Sequence, residues 1–557
     1  MTAAATAPLP LLAARDLAAP LAWCAGVPVS AGRFIAEAQA LALQLPEGRP
    51  VNLCQDRYRF ALGLAAALLR GQTSLMPPNA LPETLRQVPA EGGAPYLLID
   101  DEPPATGGLA TFRIERPAVA ADAREVPSVP AALVAVCLLT SGSTGAPQPH
   151  AKRWGPLVAN IGSEAERLAE HLGRPTLAGL TLVGTVPAQH SYGFESTVLL
   201  AMLGGACFEG GRPFYPADIA DALAAVPEPR ALVTTPFHLK TLLAADLVLP
   251  GVALALSATA PLSPQLAAQA ETAFGGQLIE IYGCTEAGQV ASRRTTAGLT
   301  WRTLGALRIT REGQADAADE RFVVAGGHVT EPTPLADVLE LDSATQFRLL
   351  GRANDLVHVA GKRSSLAHLN FHLNRIEGVL DGTFWLPQET PDQTPDGIVR
   401  TVAFVVAPGL AAREVIAALR REIEPAFVPR RVVHVDALPR EATGKLTVSA
   451  LNAFARATLA ALDRGERVIT VPPEHPAFAG HFPGHPVLPG VALLSMVMEA
   501  LGDRAGPAPR IDSAKFLQPV LPGATLTLAL TEQARGFAFE LRQGDRTVAR
   551  GAVTPSA

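Results

Sequence analysis

Small and hydroxylated residues form a run directly after an apolar segment that is typical of a buried strand. The run consists of Thr140, Ser141, Gly142, Ser143, Thr144 and Gly145. Glycines let the backbone curl, so that successive N–H groups and hydroxyls can converge on one point. Such a loop can hold phosphate oxygens. Taken alone, the run is equally compatible with an ordinary Gly/Ser turn.

Three further short segments carry residues that can take part in catalysis or binding. They are Tyr282–Glu286 (YGCTE), Gly351–Asp355 (GRAND) and Leu438–Leu446 (LPREATGKL). Lys445 stands beside a glycine, and a flexible ammonium on such a loop can reach between two anions as charge develops. A lone Gly-Lys pair is usually a plain turn. The four segments are therefore interpreted together, from their order along the chain.

In this order the four segments resemble the motifs of the adenylate-forming superfamily, which includes acyl-CoA synthetases, peptide-synthetase adenylation domains and luciferases. The resemblance covers roughly residues 25–455. It implies ATP-dependent activation of a carboxylic acid as its acyl-adenylate, followed by acyl transfer to a thiol, with ATP and Mg²⁺ as cofactors. A carboxylate and ATP are both anionic, so the site needs positive or dipolar groups aimed at the transferring charge.

The resemblance also assigns roles to single residues. Lys445 would be the catalytic lysine of the first half-reaction, and Glu286 a catalytic carboxylate that holds Mg²⁺, a cation that prefers carboxylate and phosphate oxygens. Asn354 would lie at the hinge between two catalytic poses. The nucleotide site would comprise Thr140, Ser141, Gly142, Ser143, Thr144, Gly145, Lys152, Tyr282, Gly283, Thr285, Asp337 and Arg352.

Three positions depart from the pattern of the superfamily. Gln148 replaces the lysine that usually ends the phosphate loop, so one charge contact with the phosphates is either missing or supplied by Lys152 or Arg153. Asn354 stands where an aspartate or lysine pivot is usual, and we expect the hinge to be retained because hinges need permissive backbone more than a specific charge. Asp337, the candidate for the ribose hydroxyls, lacks the usual TGD context.

The acyl pocket is predicted from two segments. His190 and Gly193 match the position at which ligases of this superfamily place an aromatic or histidine gate, and Ser257 and Ala258 match a pocket wall. His190 is also compatible with a purely structural histidine. No charged residue stands out to bind a substrate amine, which favours a fatty or aromatic acid over an amino acid.

The last ninety residues resemble hotdog-fold 3-hydroxyacyl carrier-protein dehydratases. The resemblance rests on His481–Val491 (HFPGHPVLPGV) and Lys515–Gly523 (KFLQPVLPG). It implies that His481 abstracts the α-proton, but the position of the family's acid holds Ser495, which cannot replace a carboxylic acid unless Glu499 reaches in. Weak dehydratase activity and a role limited to acyl binding or dimerisation both stay open. Hotdog domains commonly pair, which predicts a homodimer.

The elements that must position these residues follow an α/β pattern over residues 30–350, with Ala/Leu-rich amphipathic stretches between short apolar runs. The predicted strands include Ala131–Leu139, Leu180–Val186, Ala231–Thr234 and Gln277–Tyr282, then Arg400–Val406 and Arg430–Val435, with a helix over Ser449–Arg464. We expect an α/β multidomain protein with three parts: a large adenylation subdomain (1–350), a small mobile α+β subdomain with the hinge and lysine loop (351–463) and an α+β hotdog domain (466–557).

Composition narrows the class of protein. The chain has 557 residues, of which 48% are hydrophobic and 18% charged, a balance typical of folded globular domains. The formal net charge of −6 predicts no nucleic-acid partner. Apolar runs such as Phe60–Leu69 stop at about ten residues, short of the ~20 that a membrane span needs. The five cysteines show no CxxC pairing, which argues against disulfides and zinc, and we expect a cytoplasmic protein.

A ligase joined to a dehydratase-like domain suits assembly lines in which acyl groups travel on a carrier protein. The arrangement resembles the ligases of bacterial aryl-polyene and xanthomonadin-type pigment clusters. It implies holo-acyl carrier protein as acceptor, with coenzyme A as the alternative, and a hydroxybenzoate- or cinnamate-like acid as substrate. Two alternatives stay open: a non-catalytic scaffold that binds acyl carriers, and a fatty acyl-CoA synthetase.

Overall fold

The computed structural model describes residues 7–101, 106–141, 147–245, 247–313, 321–352, 356–359, 362–387, 400–440, 446–463, 466–471, 475–478, 487–501, 509–533 and 536–555. The chain divides into two compact units, residues 1–353 and 354–557. Among the described helices, none is both long and apolar enough to cross a bilayer.

The first unit is built from strands and helices that alternate along much of the chain. Its strands are β1 (Pro8–Pro10), β2 (Pro20–Cys24), β3 (Val27–Ser30), β4 (Arg49–Asn52), β5 (Ser74–Met76), β6 (Pro95–Ile99), β7 (Ala110–Arg113), β8 (Ser128–Pro130), β9 (Val134–Ser141), β10 (Pro147–Arg153), β11 (Thr181–Gly184), β12 (Cys207–Glu209), β13 (Arg230–Thr234), β14 (Leu254–Ser257), β15 (Gln277–Cys284), β16 (Gly288–Arg294), β17 (Trp301–Thr303), β18 (Arg308–Glu312), β19 (Arg321–Gly326), β20 (Val329–Leu335), β21 (Asp337–Leu341) and β22 (Gln346–Arg352). Its helices are α1 (Ala31–Ala42), α2 (Arg57–Leu69), α3 (Pro82–Arg86), α4 (Trp154–Leu172), α5 (Ser191–Gly193), α6 (Leu200–Gly204), α7 (Pro216–Ala224), α8 (Pro236–Leu243) and α9 (Pro264–Phe274), with a π-helical stretch, Phe194–Leu199, between α5 and α6.

Local chemistry explains where these helices begin and end. Asp56 and Ser263 cap α2 and α9, because each side chain accepts a hydrogen bond from the backbone N–H three residues later. Pro264 is the first residue of α9, where its missing N–H loses no hydrogen bond because the first N–H groups of a helix have no partner within it. Helix α4 ends at Gly173, which has a φ of +62° that glycine adopts without strain.

Two large sheets organise the first unit. In the part of the chain that the structure describes, one sheet has the order β10-β9-β5-β4-β6-β7 and the other β21-β22-β17-β16-β15-β14-β13-β11-β12-β2-β3. Strands β11, β13, β14 and β15 are parallel, with Thr234 opposite Ser257 and Ser257 opposite Glu280. All four residues of β11 and of β14 are buried, as expected where helices cover both faces of a sheet. The carboxyl ends of these strands therefore meet at one edge.

The second unit combines shorter sheets with helices. Its strands are β23 (Leu356–Val359), β24 (Lys362–Ser365), β25 (Asp381–Trp385), β26 (Val402–Val406), β27 (Arg431–His434), β28 (Arg467–Thr470), β29 (Arg510–Phe516), β30 (Thr525–Gln533), β31 (Gly536–Gln543) and β32 (Arg546–Thr554), and its helices α10 (Leu366–Leu373), α11 (Ala412–Glu422), α12 (Val448–Asp463) and α13 (Gly490–Leu501). The antiparallel sheet β28-β30-β31-β32-β29 packs against α13 through a core that includes Leu493, Val497, Leu526 and Leu541.

The predicted strands and the predicted helix are confirmed within a few residues. The largest differences concern the ends: β9 starts three residues later than predicted, and β15 extends to Cys284. Strand β22 runs through Gly351, the residue at which we expected the first boundary. The predicted subdivision of the second unit at residue 466 stays a prediction.

Arg57 connects several segments of the first unit from a buried position, 1% exposed. Its guanidinium donates to the carbonyl oxygens of Gly184 (3.0 Å), Val186 (2.9 Å) and Gly211 (2.6 Å). Burial lowers the pKa of Arg57 to about 10, so the side chain remains charged at neutral pH. The planar fork of an arginine suits such a set of acceptors.

Arg57→Leu should lower the free energy of unfolding by about 3 kcal/mol or more, because three carbonyl groups would lose a charged donor inside the fold. Urea unfolding followed by tryptophan fluorescence measures this change. Arg113→Leu, at an exposed position on β7, is the matched control and should change stability by less than about 0.5 kcal/mol. Equal effects of the two substitutions would contradict this role for Arg57.

Candidate active site

The strand that leaves the predicted phosphate loop lies beside the Tyr282–Glu286 segment. β9 and β10 form a hairpin in which Ser141 is opposite Pro147 and Thr140 is opposite Gln148. From β10, the Nζ atom of Lys152 donates to the backbone carbonyl of Glu286 at 2.8 Å, and His150 Nε2 lies 3.9 Å from Glu286 Oε1. The hairpin of the loop and the candidate magnesium ligand thus share one region of the first unit.

Several predicted nucleotide residues lie outside the described residues. They are Gly142, Ser143, Thr144 and Gly145, together with the side chains of Thr140, Ser141 and Arg352. Asn354, Lys445 and His481 also lie outside the described residues. Their roles stay predictions.

Tyr282 connects the second motif to the candidate ribose ligand. Its hydroxyl donates to Asp337 Oδ2 at 2.7 Å, and Asp337 is opposite Arg352 in the β21–β22 register. Tyr282 is buried against Trp301 and Phe347, which fix the ring and leave the hydroxyl to orient the carboxylate. The structure therefore brings Tyr282 to Asp337, and Asp337 to the backbone of Arg352.

The turn that carries Glu286 is shaped by glycines. Gly283 and Gly288 approach each other across the β15–β16 hairpin, and a Cβ atom added to Gly283 would collide with the carbonyl oxygen of Gly288. Gly288 has a φ of +79°, which a residue with a side chain rarely adopts. Glu286 is exposed and Thr285 half-buried, so the carboxylate stands at the surface of the edge where ligands bind in α/β sheets.

The predicted acyl-pocket residues lie at the carboxyl ends of two parallel strands. His190 is half-buried and occupies the N-cap position of α5, and Gly193 is buried where a Cβ would collide with the carbonyl oxygen of Pro187. Ser257 ends β14, is fully buried, and its Oγ has no hydrogen-bond partner within the described residues. Thr259, two residues on, has a φ of +77°, an uncommon conformation for a β-branched residue that is typical of functional loops.

A buried polar network that no sequence motif indicated adjoins these residues. Asn160 Nδ2 and Ser191 Oγ donate to the carboxylate of Glu195, each at 2.9 Å. Ser196 Oγ donates to Glu164 Oε1 at 2.8 Å and accepts from the side-chain amide of Gln289 at 2.9 Å. The members come from α4, from the helical segment after His190, and from β16. We call them the α4 polar network: Asn160, Glu164, Ser191, Glu195, Ser196 and Gln289.

Electrostatics within the α4 polar network follow from burial. Burial raises the pKa of Glu164 to about 8, so this carboxyl is largely protonated at neutral pH. Burial also raises the pKa of Glu195, but the nearby Lys152 opposes that shift. Burial in turn lowers the pKa of Lys152, and the charge of Glu195 counteracts this. Lys152 thus interacts electrostatically with Glu195 while its Nζ contacts the Glu286 carbonyl.

The signal for this network was present in α4. Asn160, Glu164 and Arg167 recur at the spacing of one helical face, and all three are buried. From sequence, polar residues at this spacing indicate a solvated face, and only the packing of α4 against β16 and the helix after His190 reverses that interpretation.

In the dehydratase-like region, Ser495 Oγ donates to the backbone carbonyl of Val491 at 3.2 Å. Ser495 and Glu499 are both exposed and lie one turn apart on the same face of α13. A serine hydroxyl bound to its own helix supplies no acid. Glu499 is the carboxyl group next to it on that face.

The fold defines the class of protein. The ATP-bound crystal structure of MatB from Rhodopseudomonas palustris matches with a TM-score of 0.64 at 18% identity, over 80% of this chain and 97% of that chain. The first unit with the start of the second therefore has the fold of adenylate-forming enzymes.

Comparison of the sequence with family models supports the same class of protein. Residues 55–315 match the model of AMP-binding enzymes, residues 391–445 the AMP-binding enzyme C-terminal domain, and residues 462–552 the ApeI dehydratase model. The resemblance found from the motifs is confirmed: the chain joins an AMP-binding-enzyme region and its C-terminal domain to a hotdog dehydratase-like region.

Curated relatives match each region separately. The 4-coumarate–CoA ligase of Rhodobacter capsulatus is 30% identical over 241 residues, which are 43% of this chain and 57% of that protein. The 3-hydroxyacyl-[acyl-carrier-protein] dehydratase FabZ of Verminephrobacter eiseniae is 40% identical over 81 residues, 12% of this chain and 54% of that protein. The chain thus spans just over half the length of these relatives.

The pKa of Glu164 gives a prediction for stability. Because the folded pKa (about 8) exceeds the ordinary value of 4.5, the folded state keeps a proton that the unfolded state loses between these values. The contribution is fully present below pH 4.5 and is lost as pH rises to about 8, at up to about 1.4 kcal/mol per pH unit. Glu164→Gln should remove this slope.

Urea unfolding at pH 5.5, 6.5, 7.5 and 8.5 measures the slope in both proteins. The exposed Glu166→Gln on the same helix is the control and should keep the wild-type slope. A wild-type slope that persists in Glu164→Gln would show that another group holds the proton.

Proposed function

We propose that this protein is an ATP-dependent ligase that activates a carboxylic acid as its acyl- or aryl-adenylate and transfers the acyl group to a phosphopantetheine thiol. The observation that carries the proposal is the contact of Lys152 with the Glu286 carbonyl, since it brings the hairpin of the phosphate loop to the Tyr282–Glu286 turn. The AMP-binding-enzyme matches and the resemblance of the fold to an ATP-bound enzyme support it.

Each group of residues would have a separate role in the first half-reaction. The Thr140–Gly145 loop would hold the β- and γ-phosphates, and the Tyr282–Asp337 pair would orient the nucleotide through its ribose. A carboxyl oxygen of the acid then attacks the α-phosphorus, and pyrophosphate leaves. Lys445 would neutralise the charge that builds between carboxylate and phosphate.

The carboxylate of Glu286 fits a magnesium ion, because it is exposed at the same edge and offers hard oxygen ligands. When bound, Mg²⁺ supplies charge neutralisation for the phosphates. Lys152, bound to the Glu286 carbonyl, supplies positive charge where Gln148 has replaced the usual lysine.

In the second half-reaction the thiol attacks the carbonyl carbon and AMP leaves. We propose holo-acyl carrier protein as the acceptor and coenzyme A as the alternative, because a dehydratase-like region of the ApeI type accompanies the ligase. We further propose a role in aryl-polyene-like or polyketide-type pigment or lipid synthesis, with a homodimer formed through the hotdog region and a cytoplasmic location. Ser495 favours weak or absent dehydratase activity.

The competing function is a scaffold that binds acyl carriers without catalysis, which Gln148 and Ser495 favour. Pyrophosphate release with a panel of aryl and fatty acids separates the two functions, because a scaffold releases none with any acid. A fatty acyl-CoA synthetase would instead prefer long-chain acids and coenzyme A.

Lys445→Ala should reduce adenylate formation at least about 100-fold, because the developing charge loses its cation, while thioester formation from a supplied adenylate changes little. Pyrophosphate release and thioester formation are measured separately. Lys515→Ala, at an exposed position on β29, is the control and should leave both rates unchanged. Equal loss of both steps in Lys445→Ala would contradict the role proposed for this lysine.

A further inference from the structure

Strand β28 belongs to the dehydratase-like region by its hydrogen bonds. It forms one edge of the sheet β28-β30-β31-β32-β29 and pairs with β30, with Ile469 opposite Leu526. Ile469 and Leu526 both lie in the core between this sheet and α13. Residues 462–552, which match the ApeI dehydratase model, include the whole strand. One face of β28 therefore completes the dehydratase-like core.

The opposite face of β28 packs into a different core. Val468, the residue before Ile469, is 9% exposed and clusters with Phe404, Val433 and Phe454. Phe404 and Val433 lie in β26 and β27, within the match to the AMP-binding enzyme C-terminal domain, and Phe454 lies in α12. Successive side chains of a strand point to opposite faces, so two neighbouring residues of β28 reach two separate cores.

The core around Val468 also holds both ends of the LPREATGKL segment, which carries the predicted catalytic lysine. Leu438, where the segment begins, is 6% exposed in this core, and Leu446, where it ends, packs against the same core. Arg440 donates two hydrogen bonds, each of 2.8 Å, to the carboxylate of Asp381 at the beginning of β25. The two flanks of the lysine segment are therefore attached to the core that Val468 completes.

A second contact from β28 reaches the chain that leads into the lysine segment. Arg467 Nη2 lies 2.8 Å from Asp436 Oδ1, and Asp436 precedes Leu438 by two residues. Both side chains are 45% exposed, so this ion pair alone contributes little stability. The backbone N–H of Glu466 also donates to the carbonyl oxygen of Ala461 at 2.8 Å, which attaches the start of β28 to the end of α12.

We propose that β28 of the dehydratase-like region is a positioning element of the ligase, because Val468 and Arg467 hold the flanks of the lysine segment in the place that adenylate formation requires. The inference rests on the proposed ligase function and adds positioning residues to it. A displacement of a catalytic group by about 1 Å can cost on the order of 100-fold in rate. The dehydratase-like region thus supports adenylation whether or not Ser495 leaves it active as a dehydratase.

Val468→Ala and Ile469→Ala form a matched pair, because each shortens a buried aliphatic side chain of the same strand in a different core. In the full chain, Val468→Ala should lower kcat for pyrophosphate release at least about 10-fold, while the KM for ATP and thioester formation from a supplied adenylate change less than about threefold. Ile469→Ala should change either rate less than about threefold. Equal loss of both half-reactions in Val468→Ala, equal loss of adenylation in Ile469→Ala, or no loss in either variant would overturn the proposal.

Exchange of the charges at Arg467 and Asp436 tests the second contact without opening a cavity. Arg467→Asp places two carboxylates together and should lower the rate of pyrophosphate release about threefold or more, and adding Asp436→Arg should restore most of that rate by re-forming the pair. Arg546→Asp, at an exposed position on β32, is the charge control and should leave the rate unchanged. An unchanged rate in Arg467→Asp, or no recovery in the double variant, would overturn the role of Arg467.

Hydrogen–deuterium exchange of the full chain distinguishes failure of this inference from failure of the ligase function, because it needs no substrate. Amides of β27 and α12 should exchange at least about threefold faster in Val468→Ala than in Ile469→Ala, and amides of β30 and β31 should show the reverse order. If no acid releases pyrophosphate but this pattern appears, the ligase function fails while β28 still supports the lysine segment. Equal acceleration of both sets of amides in both variants would overturn the inference itself.

Discussion

Lys152 joins the two large sheets of the first unit at the point where chemistry is expected. It extends from β10, at the edge of the six-stranded sheet, and donates to the carbonyl of Glu286, at the end of a strand in the other sheet. This contact determines that the phosphate-loop hairpin and the carboxylate turn face a common region. The candidate nucleotide site, the acyl gate and the α4 polar network all depend on that arrangement.

The α4 polar network lowers the stability of the fold, because it buries ionisable side chains. Burying Glu164 and Glu195 disfavours their charged forms, and the unpaired oxygens nearby add further desolvation cost. A purely structural helix face would be more stable with apolar residues at these positions. The polar face of α4 is instead held by hydrogen bonds to the helical segment after His190 and to β16.

Sequence could predict the strands and the motif residues, but not how they meet. β11, β13 and β15 follow from apolar runs bounded by glycine, proline or threonine, a local signal. Their order in the sheet, and the pairing of Asp337 with Tyr282 across 55 positions of sequence, depend on long-range contacts that no local pattern encodes. The buried positions of Asn160 and Glu164 were not predicted, because polar residues at helical spacing usually indicate a solvent-exposed helix face. Buried parallel sheets were predictable because near-continuous apolar runs are typical of them.

The central claim is that a carboxyl oxygen of the substrate attacks the α-phosphorus of a nucleotide held between the phosphate loop and Glu286. An acid labelled with ¹⁸O in its carboxyl group tests this most directly, with ATP and a thiol acceptor and mass spectrometry of the nucleotide product. Attack by the carboxyl oxygen predicts one ¹⁸O atom in AMP, because this oxygen stays bound to phosphorus and leaves with AMP when the thiol attacks the carbonyl carbon. Label in inorganic phosphate with ADP as the product, or unlabelled AMP, would contradict it.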